Sequence, residues 1–438
     1  MHPFFSKYFL YYPVTFLKGE QIYKYSKLYN KNQYLETNKL KELQHHLLQD
    51  IFKFASAYSP YYREFIKSNY GFEQLTNIPF LTKKHIIDNF QQICTFKSQK
   101  ASVKTTGGST GEPVKIYKNN DALARERVAT WRSYEWAKIG IGDKQARFWG
   151  VPHSKKNALT ARIIDFISNR KRVSAFNLTK ESLDSYHKTL LRFKPKYLYG
   201  YVSVIRKYSE HIKQHNLPLI PSVKSIITTS EILTDYDRLC IESVWGVHIF
   251  NEYGCGEVGS IAHECEYGSM HVVADNIYLE IIDSNGNPAE TGEVVVTDLH
   301  NLAMPIIRYK IGDFASWDYK ECPCGRKLPI LKGIHGRAYD IIKTKNGKSV
   351  HPEAFIYIFE EIQQKYQAFS QFQIVQKSLE NIDIYFIATS KWDESLEEII
   401  KQKINHKIDS NFKIQFIPVN QLKRELSGKM RVVKSEVS

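Results

Sequence analysis

Residues 105–111 form a loop whose residue types suit phosphate binding. The loop reads TTGGSTG, and a proline follows it at position 113. Glycines allow a backbone to turn its amide groups toward an anion at close range, and serine and threonine add hydroxyl donors. The Gly-Lys-Ser/Thr ending of a P-loop is missing. Taken alone, the loop is more typical of a surface turn than of a phosphate site.

Two later stretches carry carboxylates beside glycine-rich turns. The stretch NEYGCGEVGS contains Tyr253, Gly254 and Glu257. A carboxylate beside the phosphates of a nucleotide can hold Mg²⁺, and a tyrosine ring can stack on a purine. In IIRYKIGDFA, Asp313 follows a glycine at an expected strand end, where a carboxylate can bind both hydroxyls of a ribose. Each stretch alone is equally typical of an ordinary turn.

Two basic residues in the last third of the chain are further candidates for contact with phosphate. Arg337 lies just ahead of an expected hairpin in HGRAYDIIKTKNG, and Lys429 lies in the glycine turn LSGKMR. Lysines in such tails are usually solvated, so neither residue indicates a site by itself.

Four of the six cysteines lie within one region of about 70 residues, which favours a metal site or catalysis over disulfides in a large intracellular chain. A Cys/His pair and a Cys-x-Cys pair together supply the four ligands of a closed zinc site. The predicted zinc ligands are Cys265, His271, Cys322 and Cys324. Cys255 and His263 are the alternative ligands. If no metal binds, the same residues are interpreted as two buried thiols and a surface histidine.

The composition is that of a globular protein with more than one domain. The chain has 438 residues, 42% of them apolar and 24% charged, and two or three domains are expected at this length. The formal charge of +15 favours anionic partners, although a lysine-rich solvated surface is its more common cause. The sequence contains no arginine-rich, aromatic-interleaved stretch of the kind that indicates nucleic acid as a partner.

The sequence pattern also predicts no membrane-spanning segment, because no run approaches the roughly 20 apolar residues needed to cross a bilayer. The aromatic N-terminal stretch is interrupted by Pro3, Lys7 and Pro13, and no small-residue cleavage site of a signal peptide follows it. We therefore expect a cytoplasmic protein whose membrane association, if any, is peripheral.

The elements that position these residues are predicted to form an α/β core between about residues 100 and 330. SIITTSE and VHIFNEYG are typical of buried strands, and the segment between them has helical spacing. Such strands place a ligand at their carboxyl ends. Strand patterns dominate after residue 275 and predict a β-rich subdomain, and a helix over 38–58 is expected to turn Phe54 and Tyr58 inward.

A small α+β domain is predicted at the C-terminal end. Asn346-Gly347 is a favoured two-residue hairpin turn, and a second hairpin and an amphipathic helix follow it. We place a large N-terminal domain at residues 1–338 and a mobile C-terminal domain at 339–438.

The five candidate stretches, in their order and separation, resemble those of the adenylate-forming superfamily of acyl-CoA synthetases and peptide-synthetase adenylation domains. Within it they are most similar to the phenylacetate–CoA ligase branch and its capsular-polysaccharide-associated relatives. The resemblance covers roughly residues 100–431. It implies a carboxylate-adenylating ligase: ATP and a small carboxylic acid give an acyl-adenylate and pyrophosphate, and a thiol such as coenzyme A or a carrier, an amine or a sugar accepts the acyl group.

The resemblance also implies a role for each motif. The phosphate loop, through Thr106, Gly107, Gly108, Ser109, Thr110 and Gly111, would hold the β- and γ-phosphates of ATP. Glu257 would hold Mg²⁺, Tyr253 with Gly254 would lie against adenine, and Asp313 would bind the ribose. Arg337 would contact ribose or phosphate, and Lys429 would be the catalytic lysine, carried by a rotating C-terminal domain. Some phenylacetate–CoA-ligase-like relatives have a structural metal in the cysteine region.

Further positions are implied more loosely. Ser230 and Glu231 fall where relatives contact adenine and the acyl pocket, and the segment 199–201 falls among pocket residues. Three positions depart from the pattern: Gly107 and Gly256 replace hydroxyl residues, and Tyr339 replaces a hinge residue. These departures are also those of a catalytically weakened paralogue.

Two other functions stay open from the sequence. A kinase using the glycine-serine loop would release ADP, whereas adenylation releases AMP and pyrophosphate. A non-enzymatic basic module would bind an anionic membrane face or nucleic acid in a strongly salt-dependent way. The sequence identifies neither the acid, nor the acyl acceptor, nor the oligomeric state.

Overall fold

The structure is a computed structural model. It is described for residues 1–67, 75, 77–106, 114–149, 155–175, 178–337, 342–347, 349–350, 352–408, 412–424 and 430–437.

The helices of the described residues lie mostly before and between the strands of the core. In chain order they are α1 (Pro3–Phe5), a π-helical stretch (Ser6–Tyr11), α2 (Tyr12–Leu17), α3 (Ile22–Asn32), α4 (Thr37–Tyr58), α5 (Pro60–Arg63), α6 (Lys83–Asp88), α7 (Phe90–Ile93), a 3₁₀ turn (Phe96–Lys100), α8 (Asn120–Trp136), α9 (Lys155–Ile167), α10 (Lys180–Phe193), α11 (Val202–Gln214), α12 (Asp235–Trp245), α13 (Pro352–Tyr366) and α14 (Ser395–Lys407).

The strands form one large sheet, a smaller C-terminal sheet and two hairpins. In chain order they are β1 (Ser102–Thr106), β2 (Val114–Lys118), β3 (Gln145–Trp149), β4 (Arg170–Ser174), β5 (Tyr197–Tyr201), β6 (Ser225–Thr229), β7 (Ile249–Cys255), β8 (Gly259–Glu264), β9 (Met270–Val272), β10 (Ile277–Ile282), β11 (Thr291–Asp298), β12 (Tyr309–Asp318), β13 (Ile330–Arg337), β14 (Ile342–Lys343), β15 (Ser349–Val350), β16 (Phe369–Gln376), β17 (Asn381–Ala388), β18 (Lys413–Pro418) and β19 (Val433–Ser435).

The large sheet has eleven strands in the order β10-β11-β12-β13-β9-β8-β7-β6-β5-β3-β4 among the described residues. Strands β4, β3, β5, β6 and β7 are parallel, and those from β7 to β10 are antiparallel. The predicted β-rich part is therefore present, and it is joined to the α/β core edge to edge, since β7 pairs with β8.

Helices cover both faces of the parallel part of the sheet, as burial of its apolar strands requires. Residues on one face, such as Phe148, Leu198 and Ile226, pack against α10, α11 and α12. On the other face, Tyr197, Tyr199 and Ile227 pack against α8. The carboxyl ends of the parallel strands β3, β5, β6 and β7 thus lie at one edge of the sheet, and α8 covers one of the two faces beside this edge.

Helix α4 confirms the predicted helix near residues 38–58, but its inner face differs from the expected one. Leu48, Ile51, Phe52 and Ala55 are buried, whereas Tyr58 is 50% exposed. Tyr58 instead contacts Phe96, with ring centroids 5.1 Å apart. The segment is rich in apolar residues on adjacent faces, so helical spacing alone does not select the one that packs.

Residues 342–433 build a separate C-terminal domain with its own core. Helices α13 and α14 pack on the four-stranded sheet β18-β17-β16-β19. Strands β14 and β15 form a hairpin around Asn346-Gly347, but Lys343 pairs with Ser349, so five residues connect the strands and not the two that were expected. The predicted boundary at 338/339 and Tyr339 lie outside the described residues. Among the described residues, no helix combines the length and the apolar character needed to cross a membrane.

Replacement of Gly200 by alanine is expected to destabilise the protein. An added Cβ would lie 2.4 Å from the Phe148 carbonyl oxygen on the neighbouring strand, and backbone cannot move away cheaply. We expect the free energy of unfolding to fall by about 1–3 kcal/mol. Urea denaturation checks this against Gly140→Ala, where the nearest atom to the new Cβ would be 3.9 Å away. Equal midpoints for the two variants would contradict the prediction.

Candidate active site and metal centre

Three of the predicted nucleotide contacts meet where β7 and β13 end, and Asp313 lies there in the middle of β12 (Tyr309–Asp318), not at the expected strand end. The hydroxyl of Tyr253 donates to Asp313 Oδ2 at 3.0 Å, although the two residues are 60 positions apart. Asp313 pairs in register with Arg337 on β13, of which only the backbone is described. A left-handed φ of 79° at Gly312 sets the turn of β12 that precedes the carboxylate.

The turn after β7 carries Glu257 toward the same edge. Its Oε1 accepts a hydrogen bond from the hydroxyl of Tyr309 at 3.3 Å, and its side chain remains half-buried. Gly254 belongs to the hairpin that makes this turn, since a Cβ there would lie 2.5 Å from the carbonyl oxygen of Gly259. The glycine is thus required by the backbone of the motif.

The phosphate loop is the connection between strands β1 and β2 of one hairpin. Thr106 pairs with Val114, and of Thr106 only the backbone is described. Gly107, Gly108, Ser109, Thr110 and Gly111 lie outside the described residues. The hairpin places the two ends of this loop side by side, so its position is set by how the hairpin is held.

A buried ion network holds that hairpin. The ammonium of Lys118 is 1% exposed and lies 2.8 Å from Glu126 Oε2 on α8 and 3.0 Å from Asp298 Oδ2 on β11. It also donates to the carbonyl oxygen of Val258 at 2.7 Å, in the turn that carries Glu257. Lys104 completes the network at 2.6 Å from Glu126.

The network keeps its charges despite burial. Burial alone would lower the pKa of Lys118, but Asp298 and Glu126 raise it above its usual range. Burial would likewise raise the pKa of Glu126, whereas Lys118 and Lys104 together lower it to about 2. Fixed opposite charges therefore join the phosphate-loop hairpin to the Glu257 turn.

Ser230 and Glu231 follow β6 at the carboxyl edge and have different surroundings. Ser230 has a left-handed φ of 68°, which is strained for a residue with a side chain. Glu231 accepts hydrogen bonds from the backbone and hydroxyl of Ser203 at 2.8 and 3.0 Å, at the start of α11. Burial raises the pKa of Glu231. Its carboxylate is therefore hydrogen-bonded within the protein.

The same carboxylate contacts the C-terminal domain. The backbone N–H of Met430 donates to Glu231 Oε1 at 2.6 Å, and the guanidinium of Arg424 lies 3.9 Å from that oxygen. Lys429 lies outside the described residues. Its neighbour Met430 is nonetheless docked at the carboxyl edge of the sheet.

A buried wall that the motifs did not indicate lies beside Tyr253. Glu252 accepts hydrogen bonds from the hydroxyls of Tyr134 at 2.5 Å and Tyr199 at 3.2 Å. Burial raises the pKa of Glu252, and these two hydroxyls only partly offset the effect. Tyr199 was a loose candidate for the pocket, whereas the space beside Gly200 is filled by backbone of Phe148. In the sequence, the one signal for the role of Glu252 in this wall is its position next to Tyr253.

Arg147 extends this wall on β3. Its guanidinium carbon lies 4.7 Å from the ring centroid of Trp149 and 5.0 Å from that of Tyr199. Its Nε is buried without a hydrogen-bond partner, and no carboxylate of the described residues forms an ion pair with it within 4.0 Å. A cation that is stacked on aromatic rings, and whose nearby carboxylate Glu252 interacts with it electrostatically without an ion-pair contact, is suited to a polar or anionic ligand.

The four predicted zinc ligands are brought together. The ligand atoms of Cys265, His271, Cys322 and Cys324 all lie within 4.8 Å of one another. Tight turns present the thiols: Gly268 N–H donates to Cys265 O at 2.9 Å, and Gly325 N–H donates to Cys322 O at 3.2 Å. The cluster joins the β8–β9 turn to the β12–β13 loop.

The imidazole of His271 is prepared for ligation. Its Nδ1 lies 3.2 Å from the carbonyl oxygen of Leu328, and a proton on Nδ1 leaves the Nε2 lone pair toward Cys324 Sγ at 3.3 Å. Burial lowers the pKa of His271 to about 4, so the ring is neutral near pH 7. The donor set and the contact of His271 Nδ1 with the Leu328 carbonyl oxygen both fit zinc.

Neither alternative ligand belongs to this cluster. His263 packs edge-on against Tyr134, with ring centroids 5.9 Å apart, and burial lowers its pKa to about 3. Cys255 lies at the end of β7 near Glu257, and burial raises the pKa of its thiol. The choice of Cys265 and His271 over these two residues is in agreement with the geometry.

Comparison with known proteins gives relatives along nearly the whole chain. Residues 342–436 match the family model described as the CapK C-terminal domain. Protein CapK of Staphylococcus aureus is 27% identical over 410 residues, which cover 90% of this chain and 89% of CapK. The phenylacetate-coenzyme A ligase of Thermus thermophilus is 24% identical over 444 residues, covering 91% of this chain and 97% of the ligase.

The fold has solved counterparts. The crystal structure of 2-hydroxyisobutyryl-CoA ligase in the post-adenylation state, in complex with 2-HIB-AMP, superposes with a TM-score of 0.74 at 18% identity, covering 93% of this chain and 91% of the ligase. The same ligase in the thioesterification state gives 0.58, covering 93% and 92%. This chain is a homologue of CapK and of the phenylacetate–CoA ligases, and it has the fold of the adenylate-forming superfamily.

Proposed function

We propose that this protein activates a carboxylic acid with ATP to an acyl-adenylate, releasing pyrophosphate, and then passes the acyl group to an acceptor. The observation that carries the proposal is the docking of the C-terminal segment: Met430, next to Lys429, is bonded to Glu231 at the edge that also holds the Tyr253–Asp313 pair. A kinase that used the glycine-serine loop to bind ATP would have no role for this contact.

The nucleotide would bind across that edge. Asp313 would accept hydrogen bonds from the ribose, with Tyr253 fixing its carboxylate and lying against adenine. The phosphate loop 105–111 would hold the β- and γ-phosphates, and Arg337 would contact ribose or phosphate. Glu257 fits a magnesium ligand, because its half-buried carboxylate belongs to the turn that is bonded to the hairpin carrying the loop. Bound magnesium would offset phosphate charge.

The chemistry requires a cation where two anions meet. The acid is itself a carboxylate and must approach the α-phosphate, so positive charge at that point lowers the barrier. We assign this role to Lys429, which the C-terminal domain would bring in for adenylation and withdraw for acyl transfer. The higher superposition score with the post-adenylation state than with the thioesterification state supports an adenylating arrangement of the domains.

The acid would lie against the buried wall beside Tyr253. Its side chains are those of Tyr134, Arg147, Trp149, Tyr199 and Glu252. The aromatic rings suit the carbon skeleton of a small acid. The buried Nε of Arg147 favours a tail that accepts a hydrogen bond over a plain hydrocarbon, because an apolar ligand would leave this group unsatisfied.

The acceptor is proposed at the level of class. The solved counterpart is a CoA ligase, which supports a thiol as the acyl acceptor. Transfer to a carrier-protein thiol, or to an amine or hydroxyl of a glycan precursor in surface-polysaccharide synthesis, is the alternative supported by the similarity to CapK.

We further propose that zinc is held by the cysteine–histidine cluster. Closed four-ligand sites of this kind stabilise a fold, since binding requires the folded arrangement of the ligands. This site would fasten the β8–β9 turn to the β12–β13 loop, and so the strand pair that carries Asp313 and Arg337. It takes no part in the reaction.

Substitution of Lys429 by alanine tests the adenylation proposal. Pyrophosphate exchange into ATP, measured with a panel of aryl, fatty, hydroxy, amino and dicarboxylic acids, is expected to identify substrates of the wild type. With the best acid, Lys429→Ala should reduce exchange by about 100-fold or more, while ATP affinity changes little. Lys413→Ala, at a lysine that is 78% exposed, should match the wild type. Exchange by Lys429→Ala at the wild-type rate would overturn the assignment.

Substitution of Arg147 by methionine tests the acid-binding wall. Among acids of similar size, the wild type should prefer hydroxy or dicarboxylic acids over unsubstituted ones. Arg147→Met should raise the KM for the preferred acid by about 10-fold or more, because the buried polar tail loses its partner, and leave the KM for ATP unchanged. Arg63→Met, on α5, serves as the control. An unaltered order of preference would contradict this role for Arg147.

Metal analysis tests the zinc site. Protein purified without added zinc is expected to contain close to one equivalent, and Cys322→Ser or Cys324→Ser should lower both the zinc content and the thermal midpoint of unfolding. Cys240→Ser removes a thiol that lies outside the cluster and should retain the metal. Less than about half an equivalent in the wild type would count against zinc.

A further inference from the structure

The N-terminal helical segment, from α1 through the π-helical stretch to α2, carries a row of aromatic rings that stays in solvent. Phe4 is 58% exposed, Phe9 59% and Tyr23, on α3, 75%. The rings touch in sequence: Phe5–Phe9 centroids are 5.1 Å apart, Phe4–Tyr8 4.7 Å, Tyr8–Tyr12 5.8 Å and Tyr12–Tyr23 5.9 Å. We call this surface the aromatic ridge; its members are Phe4, Phe5, Tyr8, Phe9, Tyr12 and Tyr23.

The ridge is rigidly attached to the body of the protein by its inner face. Tyr11 is buried, and its hydroxyl accepts a hydrogen bond from Trp131 Nε1 of α8 at 2.9 Å. The hydroxyl of Ser6 donates to Ile167 O at 3.2 Å, and the amide of Asn169 donates to Met1 O at 3.1 Å. The segment is thus a fixed part of the fold whose outer face lacks a covering element among the described residues.

A second exposed apolar surface lies next to the ridge. Helix α9 ends at Ile167, which contacts Ser6, and its side chains Leu159, Ile163 and Phe166 are 62%, 54% and 65% exposed. Single exposed apolar residues are ordinary, but adjacent groups of this size mark an interaction surface.

The N-terminal segment that carries the ridge is mostly positive in charge, although the exposed Glu135 of α8 lies close enough to Tyr12 to interact with it electrostatically. Residues 1–35 contain five lysines and one acidic residue, Glu20. Glu20 is 4% exposed and paired with Arg127, so it does not contribute a free negative charge. Lys7 Nζ lies 5.3 Å from the Tyr8 ring centroid, and the other lysines lie at the end of α2 (Lys18) and on α3 (Lys24, Lys27 and Lys31).

We propose that the aromatic ridge and the flanking lysines form a docking surface for the anionic face of a lipid bilayer. Aromatic rings enter the boundary between headgroups and acyl chains, and lysines on the same segment bind anionic headgroups. A protein partner would require acidic groups facing the lysines over a shaped apolar surface, whereas a bilayer supplies negative charge and apolar depth together. The segment would lie on the membrane without crossing it.

Docking of this kind would keep an enzyme beside a membrane-bound acceptor, and it does not depend on the proposed reaction. Vesicle flotation measures it directly, with phosphatidylcholine alone or mixed with phosphatidylglycerol. We expect the wild type to float with the mixed vesicles and to bind phosphatidylcholine at least about 10-fold more weakly. Raising the salt concentration should release it, because charge attraction is screened.

Two double variants separate the contributions. Phe4→Ser with Phe9→Ser, and Lys18→Glu with Lys24→Glu, should each reduce the bound fraction by about 10-fold or more. Tyr267→Ser with Tyr319→Ser removes rings that are 60% and 74% exposed elsewhere and should bind like the wild type. Circular dichroism of all variants should match, because the altered side chains are exposed.

The proposal is overturned if the wild type fails to float with anionic vesicles, or if the aromatic variant floats as well as the wild type. Light scattering tests whether a second copy of the chain, and not a bilayer, covers the ridge. A wild-type dimer that does not bind vesicles and that Phe4→Ser with Phe9→Ser dissociates would assign the ridge to a second copy of the chain.

Discussion

The arrangement of the candidate site depends on the buried ammonium of Lys118. A charge that is 1% exposed must be compensated, and Glu126 and Asp298 do this from two different elements, α8 and β11. Removing either carboxylate would leave the network with one excess positive charge, and breaking a buried ion pair by removal of one partner costs about 3–5 kcal/mol. The network therefore fixes the hairpin of the phosphate loop against the core helix and, through Val258, against the turn of Glu257.

The sheet then gathers the remaining groups. Parallel strands open their carboxyl ends at one edge, and the antiparallel strands that continue the same sheet bring Asp313 to Tyr253. A β-rich region joined by hydrogen bonds to the α/β core is well suited to this, because relative movement between the two parts would break the ladder of β7 and β8. The C-terminal domain, to which we assign the proposed movement, has a core of its own and touches the edge through Met430.

Much of this could be predicted from local sequence. The hairpin around Asn346-Gly347 depends on a short turn sequence, and the cysteine–histidine cluster depends on thiols and an imidazole of recognisable spacing. Helix α4 was predicted, but Tyr58 was placed on the wrong face, because apolar residues lie on adjacent sides of that helix. What could not be predicted are contacts between distant residues of ordinary type, such as Glu252 with Tyr134 or Arg147 with Tyr199, since nothing in their own neighbourhoods distinguishes them from core and surface residues.

The central claim is that the loop, the Tyr253–Asp313 edge and the docked C-terminal segment together make an adenylating site. Identification of the nucleotide product tests this most directly: the protein is incubated with ATP labelled in the adenine ring, a panel of acids, and coenzyme A or an amine acceptor. The account predicts acid-dependent release of AMP with an equal amount of pyrophosphate. Formation of ADP and phosphorylated acid, without AMP, would contradict it.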